Sequence, residues 1–278
     1  MASTTFRLLG GDCRDVLKTL PDASVQCCVT SPPYWGGVRD YGTTAQIGLE
    51  HYPSAWVAEL SMLFNEVRRV LRDDGTLWLN VGDVFAASGK GGGGKAGDRE
   101  AWATVRDRKG FRMPPAPYKM KDLTLVPFLL AHDLQIGRGW YMRQVVIWRK
   151  PSAVEPMRLD RPATSHEYVF LFAKSEHYAA RNPGEAWWGH SVWDISGAGD
   201  RHDHPAVMPE ELARRCIVAG SQPGDTILDP FSGAGTTGVV AVRNGRNYIG
   251  IEANSEYLRD SESRIRSVAP LFVEEAMS

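Results

Sequence analysis

The chain has 278 residues, 43% of them hydrophobic, with 28 glycines and 17 prolines, which fits one large α/β domain around a single core better than two small ones. Its 32 basic and 33 acidic residues leave a formal net charge of −1, which excludes a globally basic, histone-like protein and confines any nucleic-acid contact to local patches. Cys13, Cys27, Cys28 and Cys216 make neither a disulfide framework nor a CxxC metal pair, and the longest apolar run, 123–131, is too short to cross a bilayer, so the expectation is a reduced, cytoplasmic protein with no metal, secretion signal or membrane anchor.

Phe6 to Leu9 and Ser24 to Thr30 read as short strands around a small helix that opens near Asp12, an N-cap residue type. A helix is predicted over 55–71, where Trp56, Leu60, Leu63, Phe64, Val67 and Leu71 recur at three- and four-residue spacings; Asp73-Asp74-Gly75 then stops it before a strand over 76–81. From 85 to 121 apolar periodicity disappears into a loop with the glycine run Gly91 to Gly94 and the prolines Pro114, Pro115 and Pro117. A helix is predicted over 122–135, followed by two apolar runs, 141–148 and 167–172, that can pair antiparallel. The last third alternates: helix 210–219, strand 226–228, helix 236–243, strand 248–251 and helix 255–268. Such alternation implies a mostly parallel sheet covered on both faces.

Two motifs carry the chemistry. Asp229-Pro230-Phe231-Ser232-Gly233-Ala234-Gly235-Thr236-Thr237-Gly238 follows a strand and opens a helix, the place where an open α/β sheet binds nucleotide-like ligands. Its glycines let the backbone approach a ligand, and the helix-start N–H groups near Thr236 and Thr237 can hold an anion. Glu252 ends the next strand, 19 residues after Gly233, and can accept hydrogen bonds from two ribose hydroxyls. Gly233, Gly235 and Gly238 also satisfy GxGxxG, so a nicotinamide-dependent oxidoreductase is one alternative; against it, only about one strand–helix unit follows the fingerprint. The second motif, Thr30-Ser31-Pro32-Pro33-Tyr34-Trp35, ends an apolar strand at the sheet edge where ligands bind.

Together these two motifs resemble the DNA amino-methyltransferases, and the catalytic motif preceding the cofactor motif is similar to the circularly permuted β class of that family. The resemblance implies a Rossmann-like, seven-stranded, mostly parallel sheet with helices on both faces, S-adenosylmethionine as cofactor, double-stranded DNA as substrate, and a homodimer in a bacterial or phage-infected cell. It spans nearly the whole chain. Gly11-Asp12-Cys13 resembles the element near the cofactor adenine, with Asp12 as the adenine contact, and His204-Pro205 opens a segment like the one just before the cofactor strand. Phe231 and Thr236 would flank the cofactor, whose methionine carboxylate suits the helix start. The segment 148–151 with His166-Glu167-Tyr168 looks like the family's later sheet region.

These residue types suit methyl transfer to an exocyclic amino nitrogen. Its lone pair is delocalised into the ring, so an acceptor must draw it toward tetrahedral geometry, a role for Ser31 and the Pro32 carbonyl. Tyr34, helped by Trp35, would stack on a flipped base and offset part of the unstacking cost, a few kcal/mol. Direct transfer then relies on positioning and electrostatics. No proline precedes a cysteine, which argues against carbon-5 cytosine chemistry through a cysteine nucleophile. Cytosine N4 and adenine N6 stand almost even as targets, with Ser31 leaning toward cytosine. A non-catalytic nucleic-acid-binding module is the third reading.

The expected organisation is one methyltransferase domain, 1–278, with an inserted DNA-recognition loop at about 86–121 and a further recognition segment at about 181–205. Between 90 and 121 lie Lys90, Lys95, Arg99, Arg106, Arg108, Lys109, Arg112, Lys119 and Lys121 against three acids, a local positive patch able to fold around phosphates. Arg158, Arg161 and the tryptophans Trp187, Trp188 and Trp193 are further recognition candidates, the tryptophans equally at home in a core.

Overall fold

The computed structural model describes residues 4–36, 46–86, 117–119, 121–151, 160–197, 208–268 and 273–275. Among the described residues nine strands form one sheet: β1 (Thr4–Gly10), β2 (Val25–Thr30), β3 (Leu71–Val81), β4 (Tyr141–Arg149), β5 (His166–Ala173), β6 (Val192–Asp194), β7 (Thr226–Asp229), β8 (Asn247–Glu252) and β9 (Val273–Glu275). Their order is β6-β4-β5-β3-β2-β7-β8-β1-β9. The expected seven strands are all present, and the three-residue β6 and β9 extend the two edges.

All pairings are parallel except those of β5 with β3 and β4, so the two apolar runs 141–148 and 167–172 pair antiparallel as anticipated. The helices are α1 (Cys13–Thr19), α2 (Pro53–Val70), α3 (Val126–His132), α4 (Glu210–Gly220), α5 (Thr236–Arg243) and α6 (Ser255–Val268). Leu17, Leu60, Phe64 and Leu130 of α1 to α3 pack on one sheet face, and Leu212, Ile217, Val239 and Ile265 of α4 to α6 on the other. Every residue of β2 is buried, as a strand covered on both faces requires.

Two element boundaries depart from expectation. α2 ends at Val70 and Leu71 already pairs with Val25; the ladder then shifts and resumes at Cys27 beside Thr76, so Asp73 and Asp74 sit in an exposed irregularity of β3 rather than in a helix-ending turn. α3 begins at Val126, not at 122, because Lys121 and Leu125 adopt left-handed φ values of 70° and 57°. Asp83 accepts hydrogen bonds there from the Thr124 hydroxyl (2.9 Å) and the Leu125 amide (3.0 Å). The helix then loosens into a π turn over Asp133–Gly137.

The topology positions the site. From β2 the chain steps outward to β3, whereas β7 leads to β8 on the opposite side. The carboxyl ends of β2 and β7 therefore flank a switch point, the crevice where open α/β sheets bind ligands.

Candidate active site

Both motifs end strands at this crevice. Pro32 and Pro33 cannot donate to the ladder, so β2 stops at Thr30 and the chain leaves the sheet. The Trp56 indole of α2 donates to the Pro33 carbonyl at 3.0 Å. Gly48, at φ 97°, lies against Tyr34, where a Cβ would come within 2.6 Å of the Tyr34 carbonyl oxygen. Ser31 and Tyr34 are partly exposed, and their hydroxyls are 3.4 Å apart. Trp35 departs from its expected role: it is 2% exposed and its indole donates to the Glu50 carbonyl, so it belongs to the core and not to a base-stacking surface.

Asp229 joins the two strand ends. Its Oδ1 accepts from the Thr30 hydroxyl (2.6 Å) and the Phe231 amide (3.0 Å), and its Oδ2 from the Thr237 hydroxyl (2.8 Å). Burial pushes its carboxyl up to about 6, against the lowering effect of these three donors. Thr30, Asp229 and Thr237 thus spend their side chains on one another and shape the turn rather than facing a ligand. Ser232 is likewise turned inward, 5% exposed, its hydroxyl 2.9 Å from that of Tyr248. Pro230 is buried beneath the turn, and Phe231 and Gly233 are partly exposed.

Gly233 and Gly235 take left-handed φ values of 50° and 74°. At Gly238 a Cβ would lie 2.5 Å from Ile265 and 2.6 Å from the Tyr248 ring, so this glycine lets α5 close on β8 and α6. The turn delivers Thr236 to the first position of α5, and among the described residues its Oγ1 is buried with no hydrogen-bond partner. A buried hydroxyl left without a partner beside a helix start fits a ligand carboxylate.

Glu252 lies one strand over. Its Oε2 accepts from the Gly233 amide (2.9 Å) and its Oε1 from the Asn254 amide (2.8 Å), which aims the carboxylate along the glycine turn, and burial raises its titration. The Gly11 amide donates to the Glu252 carbonyl at 2.9 Å, placing Asp12 beside it. Asp12 caps α1 through the Arg14 amide and is bound by the Arg14 guanidinium, which itself reaches Glu59 at 2.6 Å. That guanidinium holds Asp12 below the usual carboxylate range. Burial pushes the Cys13 thiol up to about 12, which keeps it protonated.

Asn80 and Glu167 meet Tyr34, and Lys150 joins them through Glu167. Glu167 of β5 accepts from the Tyr34 hydroxyl at 2.7 Å, Asn80 near the end of β3 donates to Glu167 at 3.2 Å, and Lys150 pairs with Glu167. Asn80 has no sequence signal beyond a polar residue near the end of an apolar run, whereas Glu167 and Lys150 lie in the two segments, His166-Glu167-Tyr168 and 148–151, that the sequence marks without giving either residue a role.

Of the DNA-contact candidates, Lys119 is exposed, whereas Arg161 stacks over the Phe85 ring at 3.8 Å and Lys121 is paired with Asp160 at 2.7 Å. Lys90, Lys95, Arg99, Arg106, Arg108, Lys109, Arg112, Arg158, His204 and Pro205 lie outside the described residues. Ala86 donates to the Asp122 carbonyl and Lys121 to the Ala86 carbonyl, each at 2.8 Å, next to Val84, which approaches Gly36. Within 181–197, Val192–Asp194 is an edge strand and Trp193 is 2% exposed, so Trp193 is a core residue.

A glycine turn at a switch point, an acid at the end of the following strand and a Ser-Pro-Pro-Tyr segment on the adjoining strand define a Rossmann-like protein with a crevice suited to a nucleotide-like ligand. Comparison with known proteins specifies it. Residues 25–263 match the N6/N4 DNA methylase family. The type II methyltransferase M.XycI of Xanthomonas campestris pv. cyanopsidis is 43% identical over 267 residues, covering 93% of this chain and 87% of that protein. A Thermus thermophilus protein, solved in complex with S-adenosyl-L-methionine and described as a DNA modification methylase, is 25% identical with a TM-score of 0.68, covering 99% and 100% of the two chains. The PvuII DNA methyltransferase, described as cytosine-N4-specific, shares the fold with a TM-score of 0.72 at 19% identity, covering 100% and 89%. The chain belongs to the DNA amino-methyltransferase family, the N4-cytosine and N6-adenine enzymes. It is an S-adenosylmethionine-dependent enzyme that methylates an exocyclic amino group in DNA, and the oxidoreductase reading of its GxGxxG falls away. No helix among the described residues is long and apolar enough to cross a membrane.

Proposed function

We propose that the enzyme methylates N4 of cytosine, flipped out of double-stranded DNA into the crevice between the ends of β2 and β7. The observation that carries this reading is Ser31, a hydroxyl rather than a carboxylate, standing beside the partly exposed Tyr34 at the end of β2. S-adenosylmethionine supplies an electrophilic methyl group. Thr236 and the first amides of α5 hold its carboxylate, Glu252 its ribose and the Asp12 region its adenine. Ser31 and the Pro32 carbonyl accept hydrogens of the cytosine amino group and direct its lone pair, while Tyr34 stacks on the base. The N–CH3 bond would form as the sulfonium C–S bond breaks and S-adenosylhomocysteine departs, and the surplus amino proton would pass to solvent, so a neutral hydroxyl acceptor suffices.

The test is nucleoside mass spectrometry of DNA from a methylation-free host expressing the chain. N4-methylcytosine is the expected product; N6-methyladenine would contradict the choice of base while retaining amino-group chemistry.

A further inference from the structure

Tyr34 is held by strands to which its own segment does not belong. Its hydroxyl donates to Glu167 Oε2 at 2.7 Å, with Asn80 Oδ1 3.5 Å away. Asn80 Nδ2 donates to the same Glu167 oxygen at 3.2 Å and to the Tyr168 carbonyl at 3.1 Å, which locks its amide. The second Glu167 oxygen is bound by the Lys150 ammonium, with side chains only 18% and 23% exposed. The ring edge is fixed as well: a Cβ on Gly82 would come within 2.7 Å of Tyr34 Cε2 and 3.3 Å of Glu167 Cγ. The antiparallel register builds this arrangement, with Trp148 opposite Glu167 and Asn80 opposite Val169.

We propose that Glu167, anchored by Lys150 and Asn80, is a positioning residue that clamps the Tyr34 ring and so fixes the platform on which the flipped base rests beside Ser31. The proposal rests on the function given above. An aromatic platform free to rotate lets the amino nitrogen drift from the methyl donor, and a displacement of about 1 Å costs on the order of a hundredfold in rate. Lys150 pairs with the second oxygen of the carboxylate, and Glu167 serves Tyr34 as a hydrogen-bond acceptor through the first.

The test compares wild type, Tyr34→Phe, Glu167→Ala, the double variant and Glu167→Gln in single-turnover transfer of labelled methyl from S-adenosylmethionine to plasmid DNA. Glu167→Ala is expected to slow transfer by about tenfold or more with unchanged cofactor affinity, and to add little in the Tyr34→Phe background. Glu167→Gln, which retains an acceptor oxygen, is expected to recover most of the rate. Wild-type rates in Glu167→Ala, additive losses in the double variant, or a Glu167→Gln as slow as Glu167→Ala would overturn the clamp. Urea unfolding of Tyr34→Phe, Glu167→Ala and their double variant, without DNA or cofactor, reads the same contact independently of activity. Coupled losses support the clamp and strictly additive ones overturn it, even if absent wild-type methylation were to defeat the functional reading.

Discussion

Ser31, Thr236 and Asp229 occupy neighbouring positions around the crevice but differ in what their removal should do. Ser31 has a partly exposed hydroxyl beside Tyr34, and on the role proposed for it Ser31→Ala should lower kcat by about two orders of magnitude while the dissociation constant for S-adenosylmethionine stays unchanged, as isothermal titration can verify. Thr236 is the converse. Its buried Oγ1 has no partner among the described residues, so Thr236→Val should leave the ligand-free protein equally or more stable to urea. The same change should weaken cofactor binding by about three- to tenfold, a loss of about 1 kcal/mol. Asp229 titrates at about 6 against an ordinary 3.8, because burial disfavours its charge. The stability it contributes is therefore fully present below pH 3.8 and lost as pH rises through about 6. Unfolding of wild type and Asp229→Asn between pH 4 and pH 7 should show the difference between them move by about 2 kcal/mol against wild type, at about 1.4 kcal/mol per unit of pKa. A flat difference would show that Asp229 is not desolvated in this way.

At the scale of elements, α5 closes on its neighbours only because position 238 lacks a side chain: a Cβ there would meet Ile265 and Tyr248 at 2.5 and 2.6 Å. Gly238→Ala should cost about 1–3 kcal/mol in urea unfolding, through overpacking rather than backbone strain. The sequence disclosed this part of the fold well. Asp12 caps α1, and the predicted 236–243 and 255–268 coincide with α5 and α6, because caps, glycines and apolar spacing act locally. Where tertiary contacts decide, the sequence was silent or misleading. Asp83 captures Thr124 and Leu125 and delays α3 to Val126, and Leu71 leaves its helix to pair with Val25. Trp35 and Ser232 sit inside motif segments but point into the core, since adjacency in a motif does not fix side-chain direction. The Asn80–Glu167–Lys150 cluster depends on the register of an antiparallel strand pair, which no local pattern encodes.

Across the whole molecule, the arrangement brings the Ser-Pro-Pro-Tyr segment from the first strands and the glycine turn from near the chain's end to adjacent strands, joined by the 2.6 Å hydrogen bond from Thr30 to Asp229. The alternation of strands and helices made this α/β architecture legible, while the two edge strands are too short to leave a pattern. Cofactor binding should stabilise the entire domain because the glycine turn packs against α5, α6 and β8. S-adenosylmethionine at about a hundred times its dissociation constant should add about 2.7 kcal/mol and raise Tm by several degrees, whereas NAD at the same concentration should leave it unmoved.

Delivery of methyl from S-adenosylmethionine to the cytosine amino group is assigned above to Ser31 and Tyr34. Labelled methyl transfer into DNA by purified wild type and Ser31→Ala in parallel, with the products resolved as nucleosides, tests that assignment without intermediaries. N4-methylcytosine is expected from wild type and at least about a hundredfold less from Ser31→Ala, with cofactor affinity equal in the two proteins. Equal transfer by both, or label in a base other than cytosine, would contradict it.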